Sequence, residues 1–148
     1  MICEVIDSTA NLISYLNLNK RNTMNWISNI ALAIAAIIHF LPLSGIMGKT
    51  TLERLYGVAI DDPNLLIAMQ HRALLFGLLG VLFVVAMFKV DLRLLAMCFG
   101  LVSTVGFIAI AWQVGDYNPL IARVIKADVI VIVALIIGLI NETWFTPH

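Results

Sequence analysis

The chain has 148 residues, 61% of them hydrophobic and 12% charged, with a mean hydropathy of +1.00. Soluble domains carry roughly 45–50% apolar and about 25% charged residues, so a soluble globular fold is excluded and the composition is that of an integral membrane protein. Nine basic residues balance nine acidic ones, which argues against nucleic acid as a partner and against a polybasic lipid anchor.

Residues 1–23 form a polar to mixed N-terminal tail. Val5, Ile6, Leu12, Ile13 and Leu16 fit one face of a short amphipathic helix. Met24 followed by Asn25-Trp26-Ile27 equally reads as a start, which would make the tail an over-extended N-terminus. The first span is expected over Trp26–Leu43, uncharged and near the lower length limit for crossing a bilayer core of ~30 Å. Trp26 suits an interfacial anchor. Ala31, Ala33, Ala35 and Ala36 allow close helix packing. The apolar run is too long for a signal peptide and no A-x-A site follows it, so the helix is read as retained.

Loop 1 covers Ser44–Asp62. Thr51 is placed as the cap of a short amphipathic helix ended by Gly57, lying flat on the membrane surface. Asp62-Pro63 reads as an N-cap followed by proline in the first helical position. The second span, Leu65–Phe88, holds only the residues after Arg72 free of charge. These sixteen residues cover ~24 Å, so Arg72 sits near the edge of the hydrocarbon. Gly77 and Gly80 offer close-contact points. Lys89–Arg93 is a charged turn, Leu94–Val114 the third span, and Gly115–Pro119 a turn by composition. The fourth span, Leu120–Ile140, is uncharged only over Val129–Ile140, or ~18 Å. It must therefore bring Asp128 into the membrane. Ala134 and Gly138 make a small-xxx-small pair. Residues 142–148 are read as a short C-terminal tail.

The fold class that follows is an all-α membrane protein: a four-transmembrane-helix antiparallel bundle over residues 24–141, with a short amphipathic helix in loop 1. Antiparallel threading gathers His39, Gln70, His71, Arg72, Arg123, Lys126 and Asp128 at the loop-1/loop-3 end, and these are the candidate ligand-binding residues. Ionisable residues inside a span cost about 2.5–3.5 kcal/mol each and normally pair within the bundle. Arg123 and Lys126 share a helix face from which Asp128 points away. Asp128 is therefore expected to pair with Arg72 across helices, while Arg72, Arg123 and Lys126 would line a positive pocket beneath loop 1. His39 and His71 are expected at similar depth. With no third ligand and no repeated spacing, no metal and no catalytic residue is assigned. Cys3 and Cys98 show no pairing pattern.

Leu55-Tyr56-Gly57-Val58, Asp62-Pro63-Asn64-Leu65 and the run Gln70–Gly80, QHRALLFGLLG, resemble a family of small bacterial four-helix inner-membrane proteins, DoxX-like in layout. The resemblance covers roughly Met24–Ile140. It implies the four-helix fold and a bacterial inner-membrane location, and carries no established activity. Some members of that family bear the label phosphopantetheine adenylyltransferase. The residues argue against that activity, because neither a His-x-Gly-His motif nor an alternating strand–helix pattern is present.

Basic residues number four on the terminal side and five on the other. Discounting the embedded cations puts both termini in the cytoplasm. The expected function is that of a non-enzymatic accessory or lipid/small-molecule-binding bundle. A quinone-linked membrane redox or isomerase enzyme and a small oligomeric transporter stand as alternatives. No cofactor is predicted, with quinone and haem left open. The expected partners are the lipid bilayer and another membrane protein or a second copy.

Overall fold

The computed structural model describes Leu12 and residues 26–145, so the tail of residues 1–23 falls outside it apart from Leu12, as do residues 146–148. Every element among the described residues is helical. Helix α1 runs over residues 26–40 and continues as a 3₁₀ segment, Leu41–Met47. Then come α2 (Lys49–Tyr56), α3 (Pro63–Phe88), a 3₁₀ turn (Val90–Leu92), α4 (Arg93–Val114) and α5 (Pro119–Phe145). Among the described residues, three helical stretches are long and apolar enough to cross a membrane: Trp26–Met47, Pro63–Phe88 and Val90–Val114.

Local chemistry sets these boundaries. Pro42 has no N–H to continue the α-helical ladder, and α1 tightens into 3₁₀ geometry there instead of stopping at Leu43. Helix α2 starts at Lys49 behind Gly48, three residues earlier than a Thr51 cap would place it. Gly57 ends it in the left-handed conformation, φ 66°. The Asp62 carboxylate accepts from the Asn64 N–H at 2.8 Å with Pro63 in the first turn, the predicted start of α3. Asn118 caps α5 by accepting from the N–H groups of Leu120 and Ile121, both at 2.9 Å. Its amide also donates to the Tyr56 carbonyl at 2.8 Å, which ties the end of α2 to the start of α5.

One apolar cluster draws on all four long helices. Leu32, Ala35 and Ala36 come from α1, Phe83 and Ala86 from α3, Ala96 and Met97 from α4, and Val131 and Leu135 from α5. Small residues set the approach: a Cβ on Gly138 would lie 2.9 Å from that of Ala31, and one on Gly77 would collide with Leu43. A second cluster joins Leu52, Tyr56 and Ile60 to Leu66, Met69, Ile121 and Val124. The apolar side of α2 thus covers protein, with Leu52 and Tyr56 buried, rather than resting on lipid.

Loop 1 is fastened by charge. Lys49 Nζ lies 2.8 Å from Asp61 and 3.7 Å from Glu53, and Glu53 accepts from the Ile60 N–H at 3.0 Å. The hydrogen bond to Lys49 holds the Asp61 carboxyl below its ordinary value and raises the Lys49 ammonium. The depressed carboxyl makes the Asp61 contribution complete at neutral pH and lost as the pH falls below the ordinary carboxylate range. The raised ammonium makes the Lys49 contribution fade only as the pH rises past that of ordinary lysine. Because the pair is exposed, its effect is local and salt-sensitive. Lys49→Met is therefore expected to speed hydrogen exchange over residues 57–62 at pH 7 and to make progressively less difference as the pH falls below the ordinary carboxylate range. Equal exchange in the two proteins at pH 7 would refute the tether.

Candidate functional site

The end of α1, the end of α2, the start of α3, the end of α4 and the first turns of α5 meet around a small internal cavity of about 30 Å³. Its walls are Ile38, His39 and Pro42, Tyr56, Arg72 and Phe76, Phe107, and Val124 and Asp128. A single water needs roughly 10–15 Å³ of such space, so the chamber admits one or two small polar groups.

His39 is 2% exposed. Its Nδ1 lies 2.9 Å from the Ala35 carbonyl one turn back. A carbonyl only accepts, so Nδ1 carries the proton, and in the neutral ring Nε2 presents a lone pair. Nε2 is buried and has no hydrogen-bond partner among the described residues. The ring is held edge-on by Phe76 and Phe83, with centroids at 5.7 and 5.1 Å, so it cannot swing away to find a partner elsewhere.

Arg72 was expected to meet Asp128 directly. The structure instead lays its guanidinium over three rings: Phe107 at 5.0 Å, Phe76 at 5.2 Å and Tyr56 at 5.6 Å. Each such contact contributes on the order of 0.5–2 kcal/mol. The aromatic cage supplies much of what a counter-ion would, and it holds the cation to one side. Asp128 is buried at 8% exposure and lines the same cavity. It forms no ion pair or hydrogen bond with another described residue. Burial pushes the Tyr56 phenol above its usual value, partly offset by Arg72, so Tyr56 remains a neutral hydroxyl. A lone-pair acceptor, a carboxyl, a cation and a phenol therefore surround one small volume.

The remaining candidates lie elsewhere. His71 is exposed and does not join His39, because neighbouring residues on a helix point about 100° apart and Arg72 takes the inward direction. Gln70 donates to the Ile46 carbonyl at 2.9 Å and clamps the end of the 3₁₀ segment to α3. Arg123 and Lys126 are exposed on the outer side of α5. The expected convergence of Arg72, Arg123 and Lys126 does not occur. No group of His, Cys, Asp and Glu suited to a metal ion is present among the described residues.

A second polar cluster lies at the opposite end. Arg93, read from sequence as part of a turn, opens α4 and is 3% exposed. Its guanidinium donates to Glu142 at 3.0 Å, to Asn29 at 2.9 Å and to the Ala86 and Met87 carbonyls at 3.3 Å each. Asn141 donates to Ser28 at 2.9 Å. Glu142 belongs to α5, which runs on to Phe145, and not to a C-terminal tail. The signal available in the sequence was a single arginine beside an otherwise uncharged span, with an Asn-Glu pair at the far end of the last one.

Comparison with family models, with curated proteins and with solved structures gave no match.

Proposed function

We propose that the chain is a four-span antiparallel bundle of the bacterial inner membrane, DoxX-like in layout, with both termini cytoplasmic. On this reading it is a non-enzymatic binding protein whose chamber holds a small polar ligand or the polar head of a lipid-soluble one. Support for a fourth span comes from α5. Its outer face from Val129 to Ile140 is exposed and apolar, like those of α3 and α4. Support for the alternating directions comes from the two polar clusters. One gathers residues from the ends of α1 and α4 with the starts of α3 and α5, and the other gathers the reverse.

The observation that carries the binding reading is the buried, unpartnered Nε2 of His39, beside a cation and a carboxyl that do not pair with each other. Buried polar atoms are nearly always hydrogen-bonded. A hydroxyl or carboxyl group would donate to His39 and accept from Arg72 at once, satisfying both. Nitrogen-15 NMR of histidine in lipid nanodiscs is expected to show a hydrogen-bonded Nε2 on His39. Native mass spectrometry is expected to show a bound species that His39→Leu and Asp128→Asn both lose while helix content stays unchanged. A bare wild-type mass together with a free Nε2 would sink the reading. Turnover of a substrate abolished by Asp128→Asn alone would replace it with an enzyme.

A further inference from the structure

We propose a second site, on the membrane side of the chamber wall, that holds one anionic phospholipid. A groove of about 230 Å³ runs between the end of α1, α2 and the start of α5. Its floor is apolar, from Leu41, Leu55 and Leu120, and two exposed arginines, Arg54 and Arg123, flank it. Ile38, Pro42, Tyr56 and Val124 line both the groove and the chamber, so the two sites adjoin across a common wall. The lipid site rests on the membrane reading and not on the chamber's ligand.

The charges at this end are equal in number, five basic and five acidic, but unevenly placed. Glu53 and Asp61 are engaged by Lys49, Asp62 caps α3, Asp128 faces the chamber, and Asp116, in the turn before α5, lies outside the groove lining. No carboxylate lines the groove, and neither Arg54 nor Arg123 has an ion pair among the described residues. Two guanidinium groups in one mouth suit a phosphate, which accepts two parallel hydrogen bonds from each planar fork. A free phosphate would leave the leucine floor uncovered, whereas an acyl chain below the same phosphate covers it. The position also fits, because arginines at the start of a span lie at headgroup depth.

The test uses the whole chain in nanodiscs of phosphatidylcholine with a minority of phosphatidylglycerol, released for native mass spectrometry. The wild type is expected to retain a single phosphatidylglycerol in preference to phosphatidylcholine. Each basic residue near an anionic surface contributes about a fivefold preference, so Arg54→Gln with Arg123→Gln is expected to lower retention about 25-fold. Lys89→Gln, a cation at the opposite end, is expected to change nothing. Both arginines are exposed and unpaired, and circular dichroism should show the double variant folded. Retention blind to the headgroup, or unmoved in the folded double variant, overturns the site. So does a dimer whose formation requires the two arginines, since the groove would then seat a second copy. Failure here leaves the chamber species, a different mass lost in His39→Leu, unaffected.

Discussion

Arg93→Leu is expected to destabilise the protein by about 3–5 kcal/mol, the range for removing one partner of a buried ion pair. The substitution does more than unpair Glu142. It withdraws donors from Asn29 on α1 and from two carbonyls at the end of α3, so three helices lose their common partner on α4 in one step. Unfolding of the purified protein in mixed micelles, titrated with a denaturing detergent, measures the loss. The double variant Arg93→Leu with Glu142→Leu is expected to lose less than the sum of its parts, because no charge is then stranded. A loss below about 1 kcal/mol for Arg93→Leu would mean that water or headgroups reach this end and that the cluster is not a staple.

Phe83→Ala is the second large effect, again about 3–5 kcal/mol. Phe83 is completely buried, lies against the edge of His39, and fills the space beside Gly100, where an added Cβ would come within 2.8 Å of its ring. Its removal would leave an apolar void opening onto the chamber. Such voids bind xenon, so xenon-129 NMR should detect a site in Phe83→Ala that the wild type lacks. Phe83→Leu, which refills part of the volume, should lose clearly less stability. A Phe83→Ala protein as stable as the wild type, with no xenon site, would show that the helices close over the gap.

The first three span positions and the caps at Gly57, Asp62 and Asn118 could be read from the chain because they depend on local chemistry, whereas the Thr51 cap could not. Apolar length gives the spans, and Gly57, Asp62-Pro63 and Asn118-Pro119 punctuate them. Which way each side chain faces was much less legible. In a soluble helix one apolar stripe marks the core, but here lipid and core are both apolar, and the periodic signal vanishes. Only the rare polar residues report direction, and they conflict. His71 and Arg72 are adjacent yet point to different environments, and nothing local says which enters. For α5 the spacing held a usable answer, since Arg123 and Lys126 share a face that Asp128 does not. Asp128 did go inward, and the other two stayed outside. Three aromatic rings taking the place of Arg72's counter-ion, and the burial of Arg93, were illegible for a further reason. Both depend on residues brought together from several helices, 49 positions apart in the Arg93–Glu142 case.

That separation has a consequence for how the chain is made. When Arg93 enters the membrane, Glu142 still follows 49 positions behind it. Until α5 arrives, α4 opens on an arginine whose carboxylate partner is missing, at a cost below the about 2.5–3.5 kcal/mol of a mid-span cation because Arg93 lies at the helix end. Without α5 that cation stays exposed, and with α5 packed it is buried. Docking of α5 thereby removes a charge from the lipid phase.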